Sequence, residues 1–404
     1  LFSDAGSDTV QELAFGLSMG NEYIAALAAR GISSDLALSR LKFGFGTGSN
    51  YFFEIAKLRA ARLLWSVIAG KWEPHDTACT RMCIHSRTTR WNKTIFDPWV
   101  NMLRTQTEAM SAVIGGADSL TVEPFDTVFR EPQEFSERIA RNQQLLLKEE
   151  AYFSKVADPG GGSYYIGQLT RILAENAWRL FVETENRGGF LAALKDGFIQ
   201  QKIKETASAR RKNIAARKEV LTGTTQYPLP DESIPEGFSA GRAFTEHPPQ
   251  ADTEVEPLLI ARGAEEIEKL RLAAVNSGKR PVIFLLPAGN PVMAVTRSQF
   301  SLNFFASGGY RVSVNPVFET VGEGVKKAVA AKASVIVLCS SDDDYHRLAP
   351  ELVSAAPAGI IPVIAGNPPA AEEIKKIGIK YFISIHSDLV ETIRMFHKLT
   401  GITD

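Results

Sequence analysis

Between Val282 and Ile385 the chain alternates strictly, five times in succession, between a short apolar run and a segment of helical pattern. The runs are Val282–Leu286, Arg311–Asn315, Val335–Cys339, Ile361–Ala365 and Tyr381–Ile385, separated by stretches such as Gly322–Ala331 and Ala371–Lys376. Strands joined through helices cannot pair as hairpins, because each helix carries the chain back across the sheet. The strands are therefore expected to lie parallel with helices on both faces. That is a flavodoxin-like plan, and it places any ligand outside the strand C-termini.

The first half alternates more loosely. Helical periodicity covers Asp8–Arg30, Asn50–Trp72, Trp99–Gly115, Pro132–Glu150 and Gln168–Leu221, with strand candidates at Phe43–Gly46, Met82–Ser86 and Ser119–Glu123. Only three or four strand–helix units fit before Leu221, whereas a closed eight-stranded barrel takes about 250 residues. Residues 1–221 are thus expected to be the C-terminal part of a TIM-type (β/α) barrel, and N-terminal truncation is expected because the chain opens with Leu1 rather than methionine and a helical pattern begins within a few residues. Residues 222–257, with Tyr227-Pro228-Leu229-Pro230 and His247-Pro248-Pro249, lose all periodicity and are expected to be a linker. Residues 258–404 form the second α/β domain, entered through a helical pattern at Leu258–Asn276.

A chain of 404 residues, 45% of them hydrophobic, can bury two cores. Its net charge of −1 gives no electrostatic case for nucleic acid or an anionic membrane. The run Arg210-Arg211-Lys212 reads as a solvated helix face. Cys79, Cys83 and Cys339 suit neither a disulfide framework nor a zinc site, and buried, reduced thiols are expected. No apolar stretch approaches the roughly 20 residues of a membrane span and no signal peptide is visible, so a cytoplasmic location is expected.

Candidate chemistry is sparse. Asp342-Asp343-Asp344 follows an apolar strand and could hold a divalent cation or accept a phosphoryl group, but a solvated loop capping the helix from Tyr345 is preferred. Gly44-Phe45-Gly46-Thr47-Gly48 matches neither nucleotide fingerprint and reads as a tight turn. Asp158-Pro159-Gly160-Gly161-Gly162-Ser163 either lets backbone approach a ligand or turns the chain and caps a helix, and the sequence leaves both open. His85, in Met82-Cys83-Ile84-His85-Ser86, is the best single candidate to line a barrel interior, though a lone strand histidine is more often a structural hydrogen-bonder.

Longer segments go further. Phe52-Phe53-Glu54-Ile55-Ala56-Lys57-Leu58-Arg59-Ala60-Ala61-Arg62-Leu63-Leu64-Trp65 resembles a signature helix of the methylmalonyl-CoA mutase family. His85-Ser86-Arg87-Thr88-Thr89-Arg90-Trp91 resembles its His-x-Gln-Thr-Ser-Gly segment, and Gly115-Gly116-Ala117-Asp118-Ser119-Leu120 and Asp158-Pro159 through Tyr165 resemble further motifs. The resemblance covers essentially the whole chain. It implies a TIM barrel threaded by coenzyme A, a wrapping linker and a flavodoxin-like cobalamin domain, in which adenosylcobalamin starts a radical rearrangement between methylmalonyl-CoA and succinyl-CoA. His85, Arg87, Arg90 and Ser163 then fall at positions of a vestigial coenzyme A channel.

Departures from the family pattern gather where its chemistry would be. Leu1, in Leu1-Phe2-Ser3-Asp4-Ala5-Gly6, stands where the resemblance places a catalytic histidine; Arg87 replaces the glutamine, and Thr121 a barrel histidine. The Asp-x-His-x-x-Gly motif that ligates cobalt is missing from Pro287–Ser298, and the matching His346 is not that ligand. A scaffold kept while these groups are lost resembles the small, β, subunit of the two-subunit bacterial enzyme, paired as a heterodimer with a catalytic large, α, subunit that binds the cofactor. No catalytic, cofactor-binding or metal residue is therefore assigned to this chain. The alternative is a competent acyl-CoA mutase chain that binds cobalamin base-on, without a histidine ligand, using Arg87, Arg90 and Ser163 for coenzyme A.

Overall fold

The computed structural model describes residues 1–230, 232–244, 253–278 and 280–403; the His247-Pro248-Pro249 stretch lies outside them. The chain forms two compact units, one of Leu1–Arg210 with Gly237–Gly263 and one of Arg211–Glu236 with Ala264–Asp404. The expected linker is shared between them: 222–236 goes with the second unit and 237–257 with the first.

The first unit runs α1 (Thr9–Ala28), α2 (Ser34–Arg40), β1 (Lys42–Thr47), α3 (Tyr51–Gly70), β2 (Cys83–Thr88), α4 (Trp99–Ile114), β3 (Ser119–Thr121) and α5 (Glu134–Leu145). It continues with α6 (Tyr164–Glu185), α7 (Phe190–Lys195), α8 (Phe198–Ala215), which runs past its end, and a single turn, α9 (Ala240–Ala243). A reciprocal capping box between Asp8 and Gln11 starts α1. The stretch expected as one pattern over Gln168–Leu221 is three helices, because Gly188 and Gly189, at φ of 95° and 92°, break the chain between α6 and α7, and Gly197, at φ 78°, breaks it between α7 and α8.

The strands pair in the order β1-β2-β3, all parallel, and do not close into a barrel. One sheet face is covered by α1, α3 and α6 through Leu13, Leu17, Phe43, Trp65, Ile84 and Phe181, with Phe43 edge-on to Trp65 at 4.6 Å. Deleting Trp65 would cost about 3–5 kcal/mol. Because side chains alternate across a strand, the opposite face collects Lys42, Gly44, Cys83, His85, Arg87 and Thr121, all of them exposed or half-buried.

The second unit runs α10 (Glu265–Asn276), β4 (Val282–Pro287), α11 (Pro291–Ser307), β5 (Arg311–Ser313), α12 (Val321–Ala330) and β6 (Val335–Cys339). It ends with α13 (Tyr345–Ala355), β7 (Ile361–Ala365), α14 (Ala371–Lys376), β8 (Tyr381–Ile383) and α15 (Leu389–Thr400). Its parallel sheet has the order β5-β4-β6-β7-β8, so the winding reverses between β4 and β6. Alternate residues of each strand enter two cores: Ile283, Leu285, Val335 and Val337 meet α10, α11 and α15, while Phe284, Leu286, Ile336 and Leu338 meet α12, α13 and α14. Full burial on both faces explains why these strands read as unbroken apolar runs. The helical lead-in expected from Leu258 forms only from Glu265.

Of the three cysteines only Cys339 is buried, its thiol pushed up to about 12 by desolvation; Cys79 is half-buried and Cys83 exposed, contrary to the expectation of three buried thiols. Among the described residues, no helix is long and apolar enough to cross a membrane.

Candidate functional site

His85 and Arg87 stand two residues apart on β2 and so share its open face. In register they lie beside Gly44 and Gly46 of β1 on one side and Ser119 and Thr121 of β3 on the other. The imidazole is engaged at both nitrogens, Nδ1 with the Ser119 hydroxyl at 2.8 Å and Nε2 with Thr121 at 3.2 Å. Desolvation, with Lys42 and Arg87 nearby, holds its pKa below the ordinary value, so it is neutral at pH 7. It is a hydrogen-bonded strand histidine with no carboxylate behind it.

Arg87 Nη1 donates to Glu123 at 3.0 Å, and Nη2 pairs with Asp4. Arg90 Nη2 reaches the other oxygen of Glu123 at 3.2 Å. Asp4 also accepts from the Thr89 hydroxyl and the Arg90 amide, each at 2.8 Å, while its own carbonyl accepts from Ala261. Burial alone would raise the Asp4 carboxyl; the Arg90 amide, the Arg87 charge and the Thr89 hydroxyl outweigh it and hold it below the usual range. Two guanidiniums and two carboxylates thus satisfy one another at the end of β2.

Two buried ion clusters lie behind this face. Lys57 of α3 meets Glu12 at 2.7 Å, Glu54 at 2.5 Å and the Gly46 carbonyl at 2.5 Å, while the Gly46 amide donates to Glu12 at 2.7 Å. Burial opposes charging Lys57, yet Glu12 and Glu54 hold it protonated above its ordinary value. Lys93 contacts both oxygens of Glu108 at 2.8 Å; there burial dominates, lowering the lysine and raising the glutamate. Removing one member of such a set typically costs 3–5 kcal/mol, by leaving a charge buried alone. Gly44 and Gly46 belong to strand β1 rather than to the expected turn, and a Cβ at Gly46 would overlap Ser3 Oγ.

Ser163 stands apart from this cluster as the N-cap of α6, accepting from Ile166 N at 3.3 Å. The preceding Asp158 to Gly162 segment is a turn in which Asp158 adopts φ 46° and pairs with Arg59.

In the second unit the crevice between the ends of β4 and β6 is where a doubly wound sheet receives its ligand. Asp344 bridges the two loops there, accepting from Ser341 at 2.6 Å, Asn290 N at 2.9 Å and Ser340 at 3.0 Å. Gly289, at φ 75°, comes so close that a Cβ there would lie 2.6 Å from both Asp344 and Ser340. Asn290 caps α11 by accepting from Met293 N at 3.1 Å, and Pro291 follows at the first helical position. Asp344 does not cap α13 with its side chain, as the sequence had suggested; Ser341 accepts from Asp344 N instead. Asp342 pairs with Arg297 at 2.7 Å, and among the described residues no three His, Cys, Asp or Glu side chains come together as a metal site.

Sequence reasoning found His85, Arg87 and Arg90 but missed Asp4, Glu123 and the buried clusters. A carboxylate directly after β3, where a parallel sheet gathers its strand ends, was the available signal for Glu123. A profile of the family described as methylmalonyl-CoA mutase matches residues 1–243, which include the whole Asp4, Arg87, Arg90 and Glu123 cluster. The chain belongs to the methylmalonyl-CoA mutase family. Among members of this mutase family, a Porphyromonas gingivalis protein described as methylmalonyl-CoA mutase small subunit is 45% identical over 401 residues, 99% of this chain and 65% of that protein. A Streptomyces virginiae protein of the same description is 37% identical over 88% of this chain and 56% of its own length. A Rhizobium meliloti methylmalonyl-CoA mutase is 43% identical over 57% of this chain and 32% of its own. The chain thus spans less than two thirds of the curated relatives it matches.

Proposed function

We propose that this chain is the small subunit of a methylmalonyl-CoA mutase, a cytoplasmic isomerase interconverting succinyl-CoA and methylmalonyl-CoA, and that it serves a catalytic large subunit as a non-catalytic partner in a heterodimer. In this reading the first unit is the C-terminal part of a TIM-type barrel and the second a flavodoxin-like domain of the cobalamin type. One observation carries the proposal: both places where mutase chemistry needs an open group are filled by the chain's own side chains. Arg87 is spent on Asp4 and Glu123, and the loops that follow β4 and β6 are tied to each other through Asp344, Asn290 and Ser340.

Adenosylcobalamin, which supplies the initiating radical when bound, does not fit these residues. Base-off binding needs a neutral imidazole in the loop after β4, with a carboxylate fixing its tautomer. That loop is Ala288-Gly289-Asn290, and the nearest carboxylate, Asp344, already has three donors. His346 and His386 stand after β6 and β8 instead. We therefore assign the cofactor to the large subunit and derive no step through it here.

The test is a titration of the purified chain with adenosylcobalamin, followed by its visible spectrum, with and without the large subunit. A cobalamin-free small chain beside a loaded, active complex supports the proposal. Stoichiometric binding to this chain alone, or interconversion of the two acyl-CoA esters by it, would overturn it.

A further inference from the structure

Arg87 and Arg90 approach the two oxygens of one carboxylate from either side, at 3.0 and 3.2 Å. Two guanidiniums on a single carboxylate is the arrangement proteins use to recognise carboxylate ligands, since each fork supplies charge and direction together. We propose that Arg87 and Arg90 form a carboxylate-binding clamp whose occupant is the chain's own Glu123, an internal ligand that a short aliphatic carboxylate can replace.

Three features support this beyond the contact itself. The clamp is built into the fold: the Arg87 guanidinium is anchored at its far side by Asp4, and the same carboxylate fixes the backbone of Arg90 through its amide. Glu123 is positioned by its backbone, its amide donating to the Thr88 hydroxyl at 2.9 Å, so its carboxylate can go while the chain path stays. The guanidiniums also remain in reach of solvent, with side-chain exposures of 32% for Arg87 and 43% for Arg90 against 14% for Glu123. Arg90 Nε is buried and, among the described residues, has no hydrogen-bond acceptor, which leaves a donor for an occupant of different shape.

The four charges cancel with Glu123 present; without it the site carries one positive charge, matched to a monocarboxylate. Such a ligand needs one or two carbons beyond its carboxylate to fill the room of the glutamate side chain. The clamp exists whether or not the chain catalyses anything, so its test is separate from the cobalamin titration.

Glu123→Ala in the 404-residue chain is expected to melt below wild type. Sodium acetate or propionate, balanced with chloride to constant ionic strength, should then restore the melting temperature saturably by about 2–4 °C, with a half-point on the order of 1–10 mM. Wild type should show no saturable rise, because Glu123 already fills the clamp, and the double variant Glu123→Ala with Arg90→Ala should lose the rescue. Equal rescue by chloride, rescue that survives loss of Arg90, or no rescue would overturn the proposal. Should Glu123→Ala fail to fold, Glu123→Ser keeps a small polar side chain and still vacates the place of the carboxylate. Carbon-13 acetate should then broaden with Glu123→Ser and not with wild type, and equal line widths would sink the idea.

Discussion

At the scale of single residues, Asp4 decides whether the polar cluster holds together. It accepts from Thr89, the Arg90 amide and Arg87 through its carboxylate and from Ala261 through its carbonyl, so it joins the N-terminal turn, the end of β2 and the 253–263 segment of the first unit. Its folded pKa lies below the ordinary 3.8, so the stability it adds is fully present above that value and is lost as pH falls through the lower folded value. Asp4→Asn should therefore lower stability at pH 7 by about 1–3 kcal/mol and flatten the acid limb of a urea-midpoint profile between pH 5 and 2. An acid limb as steep as wild type would show that Asp4 is not a stabilising carboxylate. Strand period puts His85 and Arg87 on one face, but the expected strand stopped at Ser86, whereas β2 runs on to Thr88 and takes Arg87 in. Asp4 and Glu123 were not legible in the sequence, because they lie 83 and 36 residues from Arg87 and only tertiary pairing brings them there. An arginine replacing a neutral residue needs an anion, but sequence does not say which one.

At the scale of elements, legibility followed burial. The central strands β4 and β6 were readable because burial on both faces leaves an apolar run, while the edge strands β5 and β8 are only partly buried and end two residues early, at Ser313 and Ile383. Length hid others. The seven-residue α2 was missed, and the periodicity of Gln168–Leu221 ran through three helices because helix-ending glycines change backbone angle without disturbing the apolar pattern. The loop between β4 and α11 was read for a missing histidine, whereas its structural content is the packing of Gly289 against Asp344 and Ser340. That packing makes a coupling prediction. Gly289→Ala should destabilise the second unit by about 1–3 kcal/mol, through both strain at positive φ and overlap with the carboxylate. In an Asp344→Ala background the overlap is gone, so Gly289→Ala should cost less there, by a coupling of about 0.5–3 kcal/mol in a double-mutant cycle from chemical denaturation. Strict additivity would mean that Asp344 is not what Gly289 accommodates.

At the scale of the whole molecule, the two filled sites make the same statement in different chemistry. In the first unit an arginine is neutralised by carboxylates of the same chain; in the second a carboxylate of the same chain joins the loops after β4 and β6. On the proposed non-catalytic reading these pairings are made on folding, whereas a chain that recognises a substrate leaves such groups to be satisfied on binding. His85 separates the two possibilities. Both its nitrogens are already bonded to Ser119 and Thr121, and its depressed pKa keeps it neutral at pH 7, so taking or giving a proton would break one of these bonds. In the proposed complex, His85→Asn on this chain should leave kcat and KM for methylmalonyl-CoA within about twofold, because no transition-state contact is lost. A fall in kcat of about 100-fold or more at unchanged assembly, checked by size-exclusion chromatography with light scattering, would put the imidazole in contact with the reacting atoms and return the chemistry to this chain.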